Sequence, residues 1–114
     1  MPVEALEPLE QVLQASVINY SPGYVAPAPT EEPKIIAAAS AILAAGPDVR
    51  IIVGGHVDTT GDPKENAIMA RRRAEAVISE LVDRRVPSGT LEAAVCEAVP
   101  GDADRSRQVE LLIK

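Results

Sequence analysis

The run Val49-Arg50-Ile51-Ile52-Val53 constrains this chain more than any other segment. It is β-branched and almost wholly apolar, the pattern of a central strand buried on both faces, so the rest of the fold has to supply its neighbours. The next dozen residues sharpen the constraint. Gly54, Gly55 and Gly61 interrupt the chain, and Asp62-Pro63 then opens a helix. Asp62 suits an N-cap, Pro63 the first helical position and Glu65 the returning arm of a capping box. Together they predict a helix from Pro63 to about Arg85.

The remaining elements are read from punctuation and periodicity. Lys34 to Ala45 is alanine-rich, with Ile35, Ile36, Ile42 and Leu43, opened by Pro33 and closed by Gly46-Pro47, which predicts a helix. Ala15 to Tyr20, centred on Val17-Ile18 and stopped by Pro22-Gly23, reads as a strand. Four prolines between Ser21 and Pro33 make that stretch a surface loop. Leu91 to Val99 and Gln108 to Ile113 read as two closing strands. Before all of these, Val3, Leu6, Leu9, Val12 and Leu13 recur at helical spacing with Pro8 among them, which predicts a short or kinked helix.

The order βαβαββ implies an α+β two-layer sandwich, a small mixed sheet covered by helices. Residues 1–14 are expected to be an N-terminal extension and residues 15–114 the domain. A crossover from the first strand through the first domain helix to Val49–Val53 makes those two strands parallel. It also puts the turn from Gly54 to Gly61 at the carboxyl end of a central strand, where ligand sites of open sheets tend to lie.

Composition narrows the function. A chain of 114 residues supports one core, burying roughly two thirds of its unfolded surface. Hydrophobic residues are 46% of it, yet there is no Phe or Trp and only Tyr20 and Tyr24. The core is therefore built of Ala, Val, Ile and Leu, and aromatic stacking on bases or sugars is nearly unavailable. A net charge of -6 disfavours nucleic acid, whose phosphates demand clustered basic residues. Cys96 has no intrachain partner and sits in an apolar run, where it reads as a small hydrophobe. No stretch is long enough for a membrane span, and the acidic segment Met1 to Gln14 lacks the look of an export signal. The expectation is either a protein that stays inside or a domain separated from its signal or anchor.

One pair of residues carries most of the chemistry. Asp58 comes after the central strand and Arg73 lies on the next helix, fifteen positions later, so a short loop can fold them onto one site. A carboxylate facing a guanidinium receives a zwitterion, an amino-acid-like group with its own ammonium and carboxylate. Asn66 and Arg73 are one heptad apart and share a helix face. Each also has a plainer reading. Asp58 suits an Asx turn, and Arg73, beside Arg71 and Arg72, suits a solvated face paired with Glu75 or Glu80. The spacing between them favours the site. His56 reads as a strand-end histidine with a satisfied ring.

The series Gly55-His56-Val57-Asp58-Thr59-Thr60-Gly61, Asn66, Arg73-Ala74 and Val77 resembles the signature of the OmpA-like C-terminal domain, a peptidoglycan-binding family. The tail Ser106-Arg107-Gln108-Val109-Glu110 resembles the family's Asn-Arg-Arg-Val-Glu, and the likeness covers roughly Ala15 to Lys114. The resemblance implies non-covalent recognition of the diaminopimelate group of the peptidoglycan stem peptide, anchoring a protein to the cell wall. Asp58 would take the ligand ammonium and Arg73 its carboxylate. Asn66 would hold the loop and helix start, backbone groups around Thr59 and Thr60 would complete the pocket, and Gly61 and Arg107 would support it. No catalysis, cofactor or metal is implied, and the expected location is periplasmic or cell envelope. The chain departs from the signature at Val57, Met69-Ala70, Ser106 and Gln108, and its segment Pro100 to Arg105 is short, with Asp102 and Asp104 adding charge.

Those departures keep open an alternative, a degenerate OmpA-like domain that serves as a protein-protein interaction or assembly module without binding peptidoglycan. A second rival is the His56-Val57-Asp58 sequence, which also looks like the zinc-binding His-x-Asp of aminoacylase-type peptidases. That chemistry needs further ligands and a general base, and this chain has one histidine. Paired carboxylates such as Asp58 and Asp62 suit a glycosidase only with a sugar cleft.

Overall fold

The structure, a computed structural model, describes residues 3–57, 61–96 and 107–114. Helix α1 (Val3–Gln14) leads into strand β1 (Ile18–Asn19). After a proline-rich loop and a short 3-10 turn come α2 (Glu32–Ala45), β2 (Ile51–His56) and α3 (Pro63–Asp83). Strands β3 (Leu91–Cys96) and β4 (Gln108–Ile113) complete the described chain. The α+β two-layer architecture with a small mixed sheet is the one expected, and so is the element order.

The sheet order is β1-β4-β2-β3. β2 pairs in parallel with β3, from Ile51 opposite Leu91 to His56 opposite Cys96. Its other edge pairs antiparallel with β4, where Val53 faces Leu111, and β4 pairs antiparallel with β1 through Ile18 and Val109. β1 and β2 thus run parallel, as the crossover required, but β4 lies between them. β2 is central within the sheet, and only one of its faces is covered by helices. Ile51 and Val53 join Ile18, Val109 and Leu111 in a core with Ile35, Ala38 and Ile42 of α2 and Ala74, Val77 and Leu81 of α3. On the opposite face Arg50 is exposed and Ile52 half-buried, whereas Gly54 and His56 are buried, so the two-sided burial expected of Val49–Val53 holds only further along the strand. Edge pairing on both sides, rather than a second helical layer, is what an apolar run of this kind required here.

Leu9 and Leu13 of α1 lie in the same core, and α1 packs on α2 and β4. The helix runs unbroken past Pro8, although proline deletes one helical donor and crowds the preceding turn. Two deeply buried leucines on its core face favour keeping the helix continuous.

Both ends of α3 are closed by local chemistry. The Asp62 carboxylate accepts the Lys64 amide at 2.9 Å, the N-cap read from sequence. At the other end the amide of Arg85 donates to Val82 O and that of Val86 to Leu81 O, with Arg85 at φ 74°. This is a Schellman closure with a non-glycine residue in the left-handed position, and it stops the helix at Asp83, two residues before the expected end.

Candidate ligand-binding site

The site forms where β2 hands over to α3. The close seating of that helix comes first. A Cβ on Gly55 would overlap the backbone carbonyl of Ala70, so only glycine lets α3 lie this near the strand. Ala70 and Ala74, both fully buried, extend the same narrow seam. Val57 continues the strand direction, its amide donating to Cys96 O at 3.2 Å. Asp58, Thr59 and Thr60 lie outside the described residues, and the expected pairing of Asp58 with Arg73 lies there too. The described chain resumes at Gly61, with φ 87°, a left-handed conformation glycine adopts at little cost. Its open side faces the Asn66 amide group, about 4.0 Å from where a Cβ would stand.

Midway along α3, Arg73 is buried, with only 4% of its surface exposed. Its Nε donates to Tyr24 O at 2.8 Å and its Nη2 to Ser21 O at 3.4 Å. The guanidinium carbon lies 4.9 Å from the centre of the Tyr20 ring, within cation–π range. A buried cation is costly unless hydrogen-bonded, and carbonyl dipoles plus the ring face offset that cost here. Arg73 is therefore not part of the solvated arginine face. Arg71 is, reaching Glu75 at 3.8 Å.

The turn that receives Arg73 is built for the task. Ser21 O accepts the Tyr24 amide at 3.3 Å, and Gly23 has φ 83°. Proline at the second position and a left-handed glycine at the third are the marks of a type II turn. Arg107 completes the arrangement from the start of β4, where its carbonyl accepts the Tyr20 amide at 2.9 Å.

Pro22, Gly23, Glu65, Asn66, Met69, Arg73 and Arg107 line a cleft of about 190 Å³. Three of the residues singled out from sequence, Asn66, Arg73 and Arg107, are thus brought together, with Gly61 beside Asn66. Sequence reasoning passed over Tyr20 and the Ser21–Tyr24 turn, treating that stretch only as a loop. The available signal was the placement of the chain's two aromatic residues on either side of Pro22-Gly23. The cleft has cationic groups from Arg73 and Arg107 and one carboxylate from Glu65, a mixed lining suited to a group of both signs.

On the helix-free face of the sheet, His56 Nε2 lies 2.9 Å from Glu110 Oε2, and the histidine is buried. That carboxylate partners one of its two ring nitrogens. Cys96 sits in register with His56. Burial, and then the Glu110 charge, push its thiol pKa up, which disfavours the reactive thiolate. Among the described residues no group of three His, Cys, Asp or Glu side chains is arranged to hold a metal ion. No helix among them is long and apolar enough to cross a membrane.

The model of the OmpA family matches residues 29–109. No curated protein matches the chain. Among solved structures, the peptidoglycan-associated lipoprotein from Burkholderia pseudomallei superposes with a TM-score of 0.80 at 17% identity, covering 96% of this chain and 99% of that one. The C-terminal domain of MotB from Helicobacter pylori gives 0.73 at 19% identity, covering 86% and 83%. The cell wall anchor of the T6SS from Pseudomonas aeruginosa gives 0.65 at 17% identity, covering 83% and 76%.

Proposed function

The chain belongs to the OmpA family, and from that premise we propose that it binds peptidoglycan non-covalently through the diaminopimelate group of the stem peptide, anchoring the protein that carries it to the cell wall. The observation that carries this reading is the buried Arg73, clamped by two backbone carbonyls and lining a cleft with Asn66 and Arg107. A guanidinium held this way loses little further freedom when a carboxylate arrives, so less of the binding energy is spent on ordering. In this reading Arg73 takes the ligand carboxylate and Asp58 its ammonium. Asn66 holds the start of α3 against Gly61, and backbone groups of Thr59 and Thr60 close the pocket. The module works by binding, without catalysis, in the cell envelope. Two relatives of the same fold carry wall association in their names, the peptidoglycan-associated lipoprotein and the cell wall anchor.

Each charge-assisted contact contributes about 1.5–3 kcal/mol. Against the costs of association this leaves a site of roughly micromolar to millimolar affinity. Weak sites suffice on a polymer, because a tethered domain meets repeated ligands at high effective concentration.

Calorimetric titration with diaminopimelate tests the proposal. Binding by the wild type that disappears in both Asp58→Ala and Arg73→Ala, each shown to be folded by circular dichroism, supports it. Absence of heat together with no retention on insoluble peptidoglycan sinks it and leaves the interaction-module reading. The uncharged exposed side of α2, with Ile36 and Leu43, is the surface that reading would use.

A further inference from the structure

The turn that clamps Arg73 has a second side. Pro22 and Gly23 line the Arg73 cleft, whereas Ser21 and Tyr24 line a separate cavity of about 390 Å³ together with Asn19, Tyr20, Thr30 and Glu31. One four-residue turn is thus the wall between the two spaces, and the ends of such a turn lie less than about 7 Å apart. That cavity is larger than the cleft and is assigned no role by the zwitterion chemistry.

Its lining defines the ligand class. The charged side chain there, Glu31, is already committed, accepting the Asn19 amide at 2.7 Å and pairing with Lys34 at 3.0 Å. What remains is neutral: a hydroxyl from Ser21 and one from Thr30, the side-chain NH2 of Asn19, whose oxygen accepts Gln108 Nε2 at 2.9 Å, and the Tyr24 ring, Tyr20 being buried. The Tyr24 residue is 64% exposed while its own carbonyl is fixed by Arg73. The exposed ring is an apolar face beside polar groups, carried on a backbone that Arg73 already holds, so less backbone freedom is lost on binding. The prolines at 22, 27 and 29 restrict the same loop further. A pyranose matches this lining, since one of its faces carries C–H groups and its rim carries hydroxyls. In peptidoglycan the stem peptide is covalently joined to such sugars, so one molecule can present a sugar to the cavity and its peptide to the cleft.

We infer that this cavity is a sugar subsite, in which a neutral pyranose of the glycan strand lies on the Tyr24 ring while the peptide attached to it occupies the Arg73 cleft. The inference rests on the peptidoglycan reading and extends it from the peptide to the glycan. Peptide and sugar then bind as two linked contacts, so their affinities reinforce each other.

The experiment compares two probes by calorimetry: a synthetic stem tripeptide ending in diaminopimelate, and the same tripeptide joined to its disaccharide. Wild type is expected to favour the disaccharide form about twofold to tenfold, the range an aromatic contact contributes. In Tyr24→Ala, and in Ala28→Leu, which adds bulk at another residue lining the cavity, that ratio falls to near one. Equal wild-type affinity for the two probes, or a ratio that survives in both variants, overturns the sugar subsite and leaves the Arg73 site standing. Failure of both probes to bind the wild type overturns the subsite and the peptidoglycan reading together.

Discussion

Arg73 shows how much a residue's role depends on its surroundings. In sequence it is the third member of an arginine run; in the fold it alone of the three is buried, held by Ser21 and Tyr24 carbonyls over the Tyr20 ring. Tyr20 itself is left incomplete. Its hydroxyl is buried without a hydrogen-bond partner among the described residues, and burial, the largest influence, pushes its pKa well above the ordinary value despite the opposing Arg73 charge. An unsatisfied buried hydroxyl costs about 1–3 kcal/mol, so Tyr20→Phe, which keeps the ring under Arg73, is expected to stabilise the fold by about 1 kcal/mol. A lowered melting temperature in that variant contradicts the account. Gly55 makes the opposite demand. Because a Cβ there collides with the Ala70 backbone, which cannot rotate away as a side chain can, Gly55→Ala is expected to cost about 2–3 kcal/mol in urea unfolding. It should also weaken diaminopimelate binding, since α3 must lift away from β2.

At the level of elements, two closures are exposed to test. Arg85 occupies a left-handed position at the end of α3, where glycine is the usual choice. Arg85→Gly is therefore expected to be neutral or to stabilise by up to about 1 kcal/mol, in contrast to a glycine placed inside the helix. Thermal denaturation decides the sign. The second closure is the clasp between β1 and α2, where Glu31 accepts the Asn19 amide and Lys34, and Lys34 also donates to Val17 O at 2.8 Å. Burial raises the Glu31 carboxyl, but the Lys34 hydrogen bond, the Asn19 amide and the Lys34 charge together outweigh it, leaving the pKa below its ordinary value. A folded-state pKa below the unfolded one means stabilisation that is complete above the usual carboxylate value of about 4.3 and lost as pH falls through the folded value. The gap in melting temperature between wild type and Glu31→Gln should accordingly be present at pH 7 and narrow below about pH 4. A constant gap across that range would remove the ionised clasp from the account.

For the molecule as a whole, the question is whether α1 is an appendage. Leu9 and Leu13 are buried in the same core as the sheet and the other helices, which predicts that residues 1–14 belong to the cooperative unit instead of forming an independent extension. Deleting them removes two leucines from the core, each worth about 2–5 kcal/mol when truncated. The shortened chain is expected to lose at least about 4 kcal/mol, read from urea midpoints, while the intact chain unfolds in one transition. An unchanged midpoint would show that α1 only rests on the surface. Composition misleads at this scale too. Two tyrosines in 114 residues leave little for aromatic recognition on average, yet the fold sets both beside one turn, between the Arg73 cleft and the neighbouring cavity.

What the chain alone determined is whatever neighbours in sequence can enforce. The Asp62 cap, the helices of α2 and α3, the apolar β2 and the closing strands all arise from signals spanning a few residues, and they appear within a few positions of where the sequence predicts them. Asn66 and Arg73, singled out by their spacing, both line the cleft. Only the tertiary structure decided that β4 inserts between β1 and β2, that a single face of the sheet is covered, and that Arg73 docks on carbonyls 49 and 52 positions away. Those contacts depend on closing long loops and on how closely α3 can approach Gly55. Their free energy comes from pairing and burial between segments distant in sequence, which no local pattern records.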